Sequence, residues 1–220
     1  MRIGMAVIFQ NPGDARPDAE VYAEELALAD LAEPLGFDSI WSVEHHFTDY
    51  TMVPDVLQLL SYLAGRTKRI SLGSMVVVLP WHDPLRVAEQ VSLLDHVSGG
   101  RFLLGIGRGA GRVEFEGKFV RQPKKPLRPA PFRSFRGRTY AAAVSPESVR
   151  IMAELGVGIL IIPQKPWESM AAELTEYRAL YRELNGAAAP PTIAAGWAFC
   201  DSDEGRAREV MPELRRLEAP

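Results

Sequence analysis

Two histidines and a carboxylate form the run of residues best suited to moving protons. Glu44, His45 and His46 directly follow the apolar run Ser39 to Val43, whose composition predicts a buried parallel strand. An imidazole titrates near neutral pH and can donate, accept or relay a proton. The motif predicts either acid–base chemistry at the end of this strand or two histidines hydrogen-bonded there for structural reasons.

The same motif is a weaker candidate for a metal site. A zinc site needs ligands that converge on one point, but adjacent residues such as His45 and His46 point to opposite sides of a strand. No third ligand stands out. The single cysteine, Cys200, excludes an internal disulfide and a multi-cysteine metal site. We therefore expect no metal, and we expect Cys200 to be a small buried residue on a strand.

A glycine-flanked arginine ends another apolar run. Gly107 and Arg108 come at the end of the run that starts at Phe102. Glycine lets a ligand approach the backbone closely, and a guanidinium group can bind phosphate or carboxylate through two parallel hydrogen bonds. By itself this pattern is equally compatible with a tight turn and an exposed arginine.

A well-capped helix start is a second candidate for an anion site. Ser145 suits the N-cap position and Pro146 the first helical position, which leaves free backbone N–H groups directed outward. Such a terminus binds anions, and the hydroxyl of Ser148 lies one turn into the helix. An ordinary capped helix also explains this motif alone. Because Arg108 and Ser145 follow neighbouring predicted strands, their convergence predicts a phosphate site.

Short apolar runs alternate along the chain with amphipathic helical patterns, which is typical of β/α units that build a parallel sheet. We predict strands at Ile3 to Phe9, Ser39 to Val43, Ile70 to Leu79, Phe102 to Ile106, Tyr140 to Val144, Ile159 to Ile162 and Ile193 to Phe199. We predict helices at Glu20 to Leu35, Val53 to Ala64, Pro84 to His96, Pro146 to Leu155 and Pro166 to Leu184. An open doubly wound sheet also fits, but no glycine-rich dinucleotide turn follows the first strand. The pattern favours an α/β fold, a (β/α)8 TIM-type barrel, with residues 1–220 in a single domain.

The predicted barrel is incomplete, with the fourth helix and the C-terminal part absent. The connection between the fourth and fifth strands is basic and proline-rich at residues 121–131, whereas a parallel crossover normally carries a covering helix. The chain has 220 residues, fewer than the roughly 250 of a typical barrel of this kind. Either the barrel is truly trimmed or a segment of about 30–40 residues belongs between Gly117 and Lys118, and we expect the second. Their Cα atoms should then lie farther apart than the ~3.8 Å of bonded residues.

Charge and hydropathy exclude several classes of partner. The formal net charge is −3 and no block of like charges occurs, so we expect no nucleic-acid or membrane-surface partner. No apolar stretch approaches the roughly 20 residues needed to cross a bilayer. The N-terminal apolar run is too short for a signal peptide. We therefore expect a cytoplasmic protein.

Three segments carry a shared pattern: Gly36 to Phe47, Leu94 to Phe102 and Gly105 to Gly109. In order and spacing they resemble the bacterial luciferase-like flavin-dependent monooxygenase family. The resemblance implies a (β/α) barrel that uses reduced FMN and dioxygen, through a peroxyflavin, to oxidise a small organic substrate. It also implies a homodimer. A separate flavin reductase would supply the reduced FMN, since the sequence shows no NADH-binding fingerprint.

The resemblance assigns roles to residues near the flavin ring. His45 matches the histidine beside the ring and, with its neighbour Glu44, is the expected catalytic group. Met75 and Val76 match a position where the family often has a non-proline cis peptide beneath the ring. Gly107 replaces the reactive cysteine of the luciferase α subunit, so light-emitting chemistry is not implied.

Further matches concern the flavin phosphate and its surroundings. Arg108 matches the arginine on the phosphate, and Ser145 and Ser148 match the hydroxyl residues of the same site. Glu114 falls near an acidic residue that luciferases place close to the flavin. Val144 replaces a glutamate of the luciferase pattern, so that contact should be missing.

Two other functions fit the same motifs. One is hydride transfer with a deazaflavin coenzyme and without oxygen, although the run Glu44-His45-His46 favours FMN. The other is a flavin-binding or subunit-partner protein without turnover. Oxygen uptake in the presence of substrate distinguishes an enzyme from such a protein.

Overall fold

The computed structural model describes residues 1–107, 132–142, 146–162, 166–196, 198–203, 205–206 and 208–210. The chain forms two compact units, Met1–Ala142 and Ala143–Pro220. The single domain expected for residues 1–220 stays a prediction. The expected break between Gly117 and Lys118 lies outside the described residues.

The first unit is built from β/α units whose strands pair in parallel. Its strands are β1 (Gly4–Val7), β2 (Ser39–Ser42), β3 (Ser71–Ser74), β4 (Val77–Val78), β5 (Phe102–Gly107) and β6 (Thr139–Ala142). Its helices are α1 (Asp18–Ala32), α2 (Val56–Arg66) and α3 (Pro84–Val97), with short 3-10 turns at Pro12–Asp14 and Leu79–Trp81. The order is β1-β2-β3-β5-β6, with β4 also beside β5. Parallel pairing places the C-terminal ends of these strands at one edge.

The second unit contains two helices and two strands. They are α4 (Pro146–Leu155), β7 (Gly158–Ile161), α5 (Trp167–Asn185) and β8 (Ile193–Ala194). β7 and β8 pair in parallel. The buried core includes Ile159 and Tyr177, and the Tyr177 hydroxyl donates a hydrogen bond to Val157 O at 2.7 Å. The α5 helix ends at Gly186, whose positive φ of 62° closes the C-cap.

The core of the first unit lies between its helices and its strands. Leu60 and Leu63 of α2 and Leu94 of α3 are buried against strand residues such as Leu72 and Phe102. Burying each such side chain stabilises the fold by about 1.5–3 kcal/mol. The apolar spacing seen in the sequence therefore corresponds to the packed faces of these helices.

Trp41 of β2 lies across its neighbouring strand. It pairs in register with Gly73 of β3, and a Cβ atom at Gly73 would collide with the indole ring. The indole N–H donates to Ser39 Oγ at 2.8 Å. Glycine at position 73 thus makes room for the largest side chain of β2.

The predicted strand Ile70 to Leu79 is wrong as a single element. The structure has two strands in this range, β3 and β4. Met75 and Val76 lie between them, and the peptide bond that joins these two residues is cis. The cis bond expected from the family resemblance is therefore confirmed.

Two other expectations need correction. The predicted strand from Ile193 to Phe199 ends at Ala194. Cys200 is exposed and not buried on a strand, because the short β8 does not reach it. The α2 helix begins at Val56 and not at Val53, because Asp55 is its N-cap and accepts a hydrogen bond from Gln58 N at 2.9 Å.

Arg101, the residue before β5, ties together the segments that lead into β3 and β5. Its guanidinium group donates five hydrogen bonds at 2.7–3.2 Å. The acceptors are Ser98 O, Thr67 Oγ1, Thr67 O, Ile70 O and Ala64 O. Because these acceptors are mostly backbone carbonyls, the arginine satisfies the C-terminal end of α2 and holds it beside the next strand.

A buried ion pair lies at the start of β6. The two oxygens of Asp95, fully buried in α3, face Arg138 Nη1 at 2.8 Å and Nη2 at 3.3 Å. Burial opposes ionisation of Asp95. Hydrogen bonds from the Arg138 side chain and the Arg133 backbone outweigh that effect and hold the pKa of Asp95 below its ordinary value.

Asp38, before β2, accepts a hydrogen bond from Ile3 N at 2.7 Å. Together with Asp95, Arg101 and Arg138 it forms what we call the N-terminal rim. Asp38, Arg101 and Arg138 directly precede β2, β5 and β6. Asp95 belongs to the rim because it pairs with Arg138. The rim therefore fixes the end of the first unit opposite to the end where Glu44 and His45 lie.

Candidate functional site

A buried carboxylate bridges two imidazoles beyond the C-terminal end of β2. Glu44 Oε1 accepts a hydrogen bond from His46 Nε2 at 2.9 Å and from His82 Nε2 at 2.8 Å. The Val78 backbone N–H donates to Glu44 Oε2 at 3.2 Å. The side chain of Glu44 is 1% exposed, against 16% for His46 and 20% for His82. We call Glu44, His46 and His82 the Glu44 cluster.

The sequence positions this cluster through two successive strand ends. Glu44 and His46 follow β2, and His82 follows the 3-10 turn Leu79–Trp81 after β4. The indole of Trp81 stacks on the His46 ring with 4.4 Å between centroids and 25° between planes. Trp81 and Phe47 are exposed. Each imidazole of the cluster is thus oriented by its own strand end and by its contact with Glu44.

Sequence reasoning missed His82. It lies far along the chain from Glu44, so spacing alone gave no sign that the two meet. The available signal was topological: a histidine shortly after the predicted strand Ile70 to Leu79 reaches the same edge of a parallel sheet as the residues that follow β2.

His45 occupies different surroundings from His46. Its backbone N–H donates to Val53 O at 3.1 Å. Its ring meets Tyr50 edge-on, with centroids 5.1 Å apart and planes at 79°. Burial lowers the pKa of His45, the neighbouring His46 lowers it further, and Glu44 partly offsets both. The lowered pKa favours the neutral form of the His45 ring, which can accept a proton.

The cis peptide lies against the end of β5. Met75 N donates to Ser42 O at 2.7 Å. Ser74 Oγ and the backbone of Gly105 make two hydrogen bonds of 2.9 Å. A Cβ atom at Gly107 would lie 2.6 Å from Cγ2 of Val76. The segment between β3 and β4 is thus fixed to both neighbouring strands and leaves no room for a side chain at position 107.

The structure brings five of the predicted site residues to one edge of the first unit. Glu44, His45, Met75, Val76 and Gly107 lie at or just beyond the C-terminal ends of β2, β3 and β5, which are neighbours in the sheet.

The predicted phosphate residues are distributed differently. Ser148 lies in the first turn of α4, in the second unit, and is half-buried. Arg108, Glu114 and Ser145 lie outside the described residues. The convergence of Arg108 and Ser145 stays a prediction.

The chain belongs to the luciferase-like monooxygenase family, whose model matches residues 1–118 and 110–219. It is 33% identical over 116 residues to the oxygenase component of a flavin-dependent trigonelline monooxygenase from Acinetobacter baylyi, covering 53% of this chain and 32% of that protein. It is 40% identical over 96 residues to an alkanal monooxygenase alpha chain from Photorhabdus laumondii, covering 44% and 27%. These matches span about a third or less of each curated relative.

Solved structures show the same fold. A monooxygenase from Streptomyces bottropensis matches 98% of this chain and 78% of its own with a TM-score of 0.79 and 24% identity. The oxygenating constituent of 3,6-diketocamphane monooxygenase from Pseudomonas putida, in complex with FMN, matches 97% and 72% with a TM-score of 0.77 and 19% identity. An F420-dependent secondary alcohol dehydrogenase matches 96% and 73% with a TM-score of 0.74 and 17% identity. The chain therefore has the α/β fold of the TIM-barrel monooxygenases of this family and spans part of it.

Among the described residues, no helix combines the length and apolar character that a membrane span requires.

Proposed function

We propose that this protein is a flavin-dependent monooxygenase that uses reduced FMN and dioxygen to oxidise a small organic substrate. The observation that carries the proposal is the placement of the half-buried His45 at the same strand edge as the Met75–Val76 peptide and Gly107. Support also comes from the trigonelline monooxygenase and from the FMN complex of the diketocamphane monooxygenase.

The residues at this edge fit a planar, largely apolar ring. Gly107 offers bare backbone, and the space beside it is filled by the apolar side chain of Val76. A bound reduced flavin supplies the electrons that activate dioxygen. Met75, Val76 and Gly107 are the residues that would hold the ring at this edge.

His45 is the proposed acid–base group. Because burial favours the neutral imidazole, a ring nitrogen can accept a proton and later return it. Glu44 favours the protonated form of His45 electrostatically, which stabilises the charge that appears on proton transfer. Arg108, Ser145 and Ser148 are the proposed ligands of the flavin phosphate, with Glu114 near the flavin.

The proposed partners follow from the relatives. The trigonelline enzyme is named as an oxygenase component, which supports a separate flavin reductase as the source of reduced FMN here. We further propose that the protein acts as a homodimer in the cytoplasm.

The test is to titrate the purified full chain, without oxygen, with reduced FMN and in parallel with a reduced deazaflavin. We expect saturable binding of FMN, and oxygen uptake with product formation after oxygen and a substrate are added. Preferential binding of the deazaflavin would support hydride transfer instead. Flavin binding without oxygen-dependent turnover would indicate a non-catalytic relative.

His45→Ala should leave FMN binding nearly intact and lower coupled product formation by about 10²–10⁴-fold, the range of a lost acid–base group. Peroxide release should rise. His96→Ala, at an exposed site on α3, is the matched control and should behave like the unmodified protein. If His46→Ala shows the loss and His45→Ala does not, the roles of the two imidazoles are reversed.

A further inference from the structure

We propose that the Glu44 cluster is a binding site for a divalent transition metal of the zinc class. The inference goes beyond the proposed flavin chemistry and does not depend on it. Within the part of the chain that the structure describes, this is the one group of three histidine, cysteine or acidic residues whose ligand atoms all lie within 4.8 Å of one another.

The donor set is chemically appropriate. Two imidazole nitrogens and one carboxylate oxygen are the protein ligands of many catalytic zinc sites and of non-haem iron sites. Glu44 Oε1 lies 2.9 Å from His46 Nε2 and 2.8 Å from His82 Nε2. Tetrahedral bonds of about 2.0–2.1 Å place ligand atoms about 3.3 Å apart. The two distances from Glu44 Oε1 to the imidazoles need to lengthen by only a few tenths of an ångström, and all three ligand atoms already lie within 4.8 Å of one another. On metal binding the proton of each coordinating Nε2 moves to Nδ1 or is lost to solvent.

Charge also favours a cation at this position. The Glu44 carboxylate is nearly fully buried, and burying an ionised carboxylate is costly unless it is paired. Among the described residues its side chain forms ion pairs with His46 and His82 and with no lysine or arginine. A divalent metal ion held by these three side chains supplies a positive charge directly beside the buried carboxylate.

The surroundings already fix the ligands. The Val78 N–H holds the second oxygen of Glu44, and Trp81 stacks on His46. Such contacts from outside the ligand set orient metal ligands and raise affinity. Because His46 and His82 remain partly exposed, the metal keeps positions open for water or another small ligand.

The experiment uses the full chain, freed of metal with a chelator and without flavin, titrated with Co²⁺ and then with Zn²⁺. We expect one equivalent of Co²⁺ to bind with visible d–d absorption, and Zn²⁺ to displace it. His46→Ala, His82→Ala and Glu44→Gln should each weaken binding by about 100-fold or more, since removing even an outer partner of a ligand costs about 10–100-fold.

Two further variants keep the test decisive. His45→Ala removes the adjacent imidazole, which is outside the cluster, and should leave Co²⁺ binding unchanged. His82→Cys retains a ligand and, in a variant whose circular dichroism matches the unmodified protein, should bind one equivalent of Co²⁺ with an added sulfur-to-cobalt charge-transfer band. Absence of stoichiometric binding would overturn the proposal and leave the cluster as a hydrogen-bonded pair of histidines. An equal loss of Co²⁺ affinity in His45→Ala and His82→Ala would also overturn the proposal. Flavin affinity, measured separately in chelator, reports on the proposed function alone.

Discussion

Gly107 and Val76 are packed so closely that glycine alone fits at the end of β5 while Val76 keeps its position. A Cβ atom at Gly107 would lie 2.6 Å from Cγ2 of Val76, a separation that real Cβ atoms do not show. Gly107 is thus matched to a branched side chain on the neighbouring segment.

Gly107→Ala should therefore lower the free energy of unfolding by about 1–3 kcal/mol, the usual cost of overpacking. Val76→Ala frees the space, so the double variant should recover part of that loss. Urea unfolding of the four proteins gives the coupling energy. Gly65→Ala, in α2 with nothing near its added Cβ, is the control and should stabilise slightly. Simple additivity of the two changes would show that the residues do not meet.

Burial and the neighbouring His46 should make His45 titrate below about 6.5, its ordinary pKa. The unfolded chain then binds more protons than the fold in this range, so stability falls as the pH falls through it. His46→Ala should raise the pKa of His45, and Glu44→Gln should lower it further. NMR titration of the His45 ring, in chelator, measures both shifts. No change in either variant would contradict the electrostatic coupling described for this motif.

The lowered pKa of Asp95 predicts a specific acid sensitivity. Its contribution to stability is present above the unfolded value of about 3.9 and is lost as the pH falls through the folded pKa. Arg138→Met leaves a buried, unpaired carboxylate and should cost about 3–5 kcal/mol at neutral pH. It should also weaken that acid dependence, because Arg133, whose backbone N–H still donates to Asp95, is then left to oppose the effect of burial on the pKa of Asp95.

Urea unfolding at neutral and at acid pH measures both effects. The control is Arg86→Met, because Arg86 forms an exposed ion pair with Glu89; its stability should be little changed at either pH. Equal behaviour of the two variants would mean that the buried pair contributes no more than a surface pair.

Arg108→Ala should weaken binding of reduced FMN by about 1.5–3 kcal/mol, the value of a hydrogen bond to a charged group. The expectation comes from the position of Arg108 directly after β5 and from the family resemblance. Fluorescence or calorimetric titration under anaerobic conditions gives the dissociation constant. Arg136→Ala, at an exposed site before β6, is the matched control. An unchanged constant for Arg108→Ala would remove this residue from the phosphate site.

The sequence predicted helices and strands well where a proline, a glycine or an apolar run marked their ends clearly. The α4 helix begins and ends where the sequence indicates, at Pro146 and Leu155, because a proline marks its first turn and Gly156 follows its last. The apolar run at Phe102 likewise became β5. The third strand was predicted as continuous because Val76, Val77 and Val78 suit a strand individually, and propensity carries no information about the peptide bond between two residues.

The candidate site was predictable in part. The parallel topology made it predictable which edge of the sheet carries the site and that His45 and Glu44 lie at that edge. The contact between Glu44 and His82 was not predictable from the sequence. It joins side chains from two segments far apart in the chain and depends on the turn at Leu79–Trp81. Adjacent histidines gave no sign of which one Glu44 would bind, since that depends on the direction in which the chain leaves β2.

The N-terminal rim has a consequence for how this family diversifies. Asp38, Arg101 and the Asp95–Arg138 pair hold the chain where it enters the strands, whereas Glu44, His45 and His82 lie where it leaves them. Because these sets share no hydrogen bond among the described residues, changes in the loops beyond the strands leave the anchoring bonds intact. Substitutions in the loops where the chain leaves the strands can therefore accumulate during natural or laboratory evolution while the opposite end retains its contribution to folding.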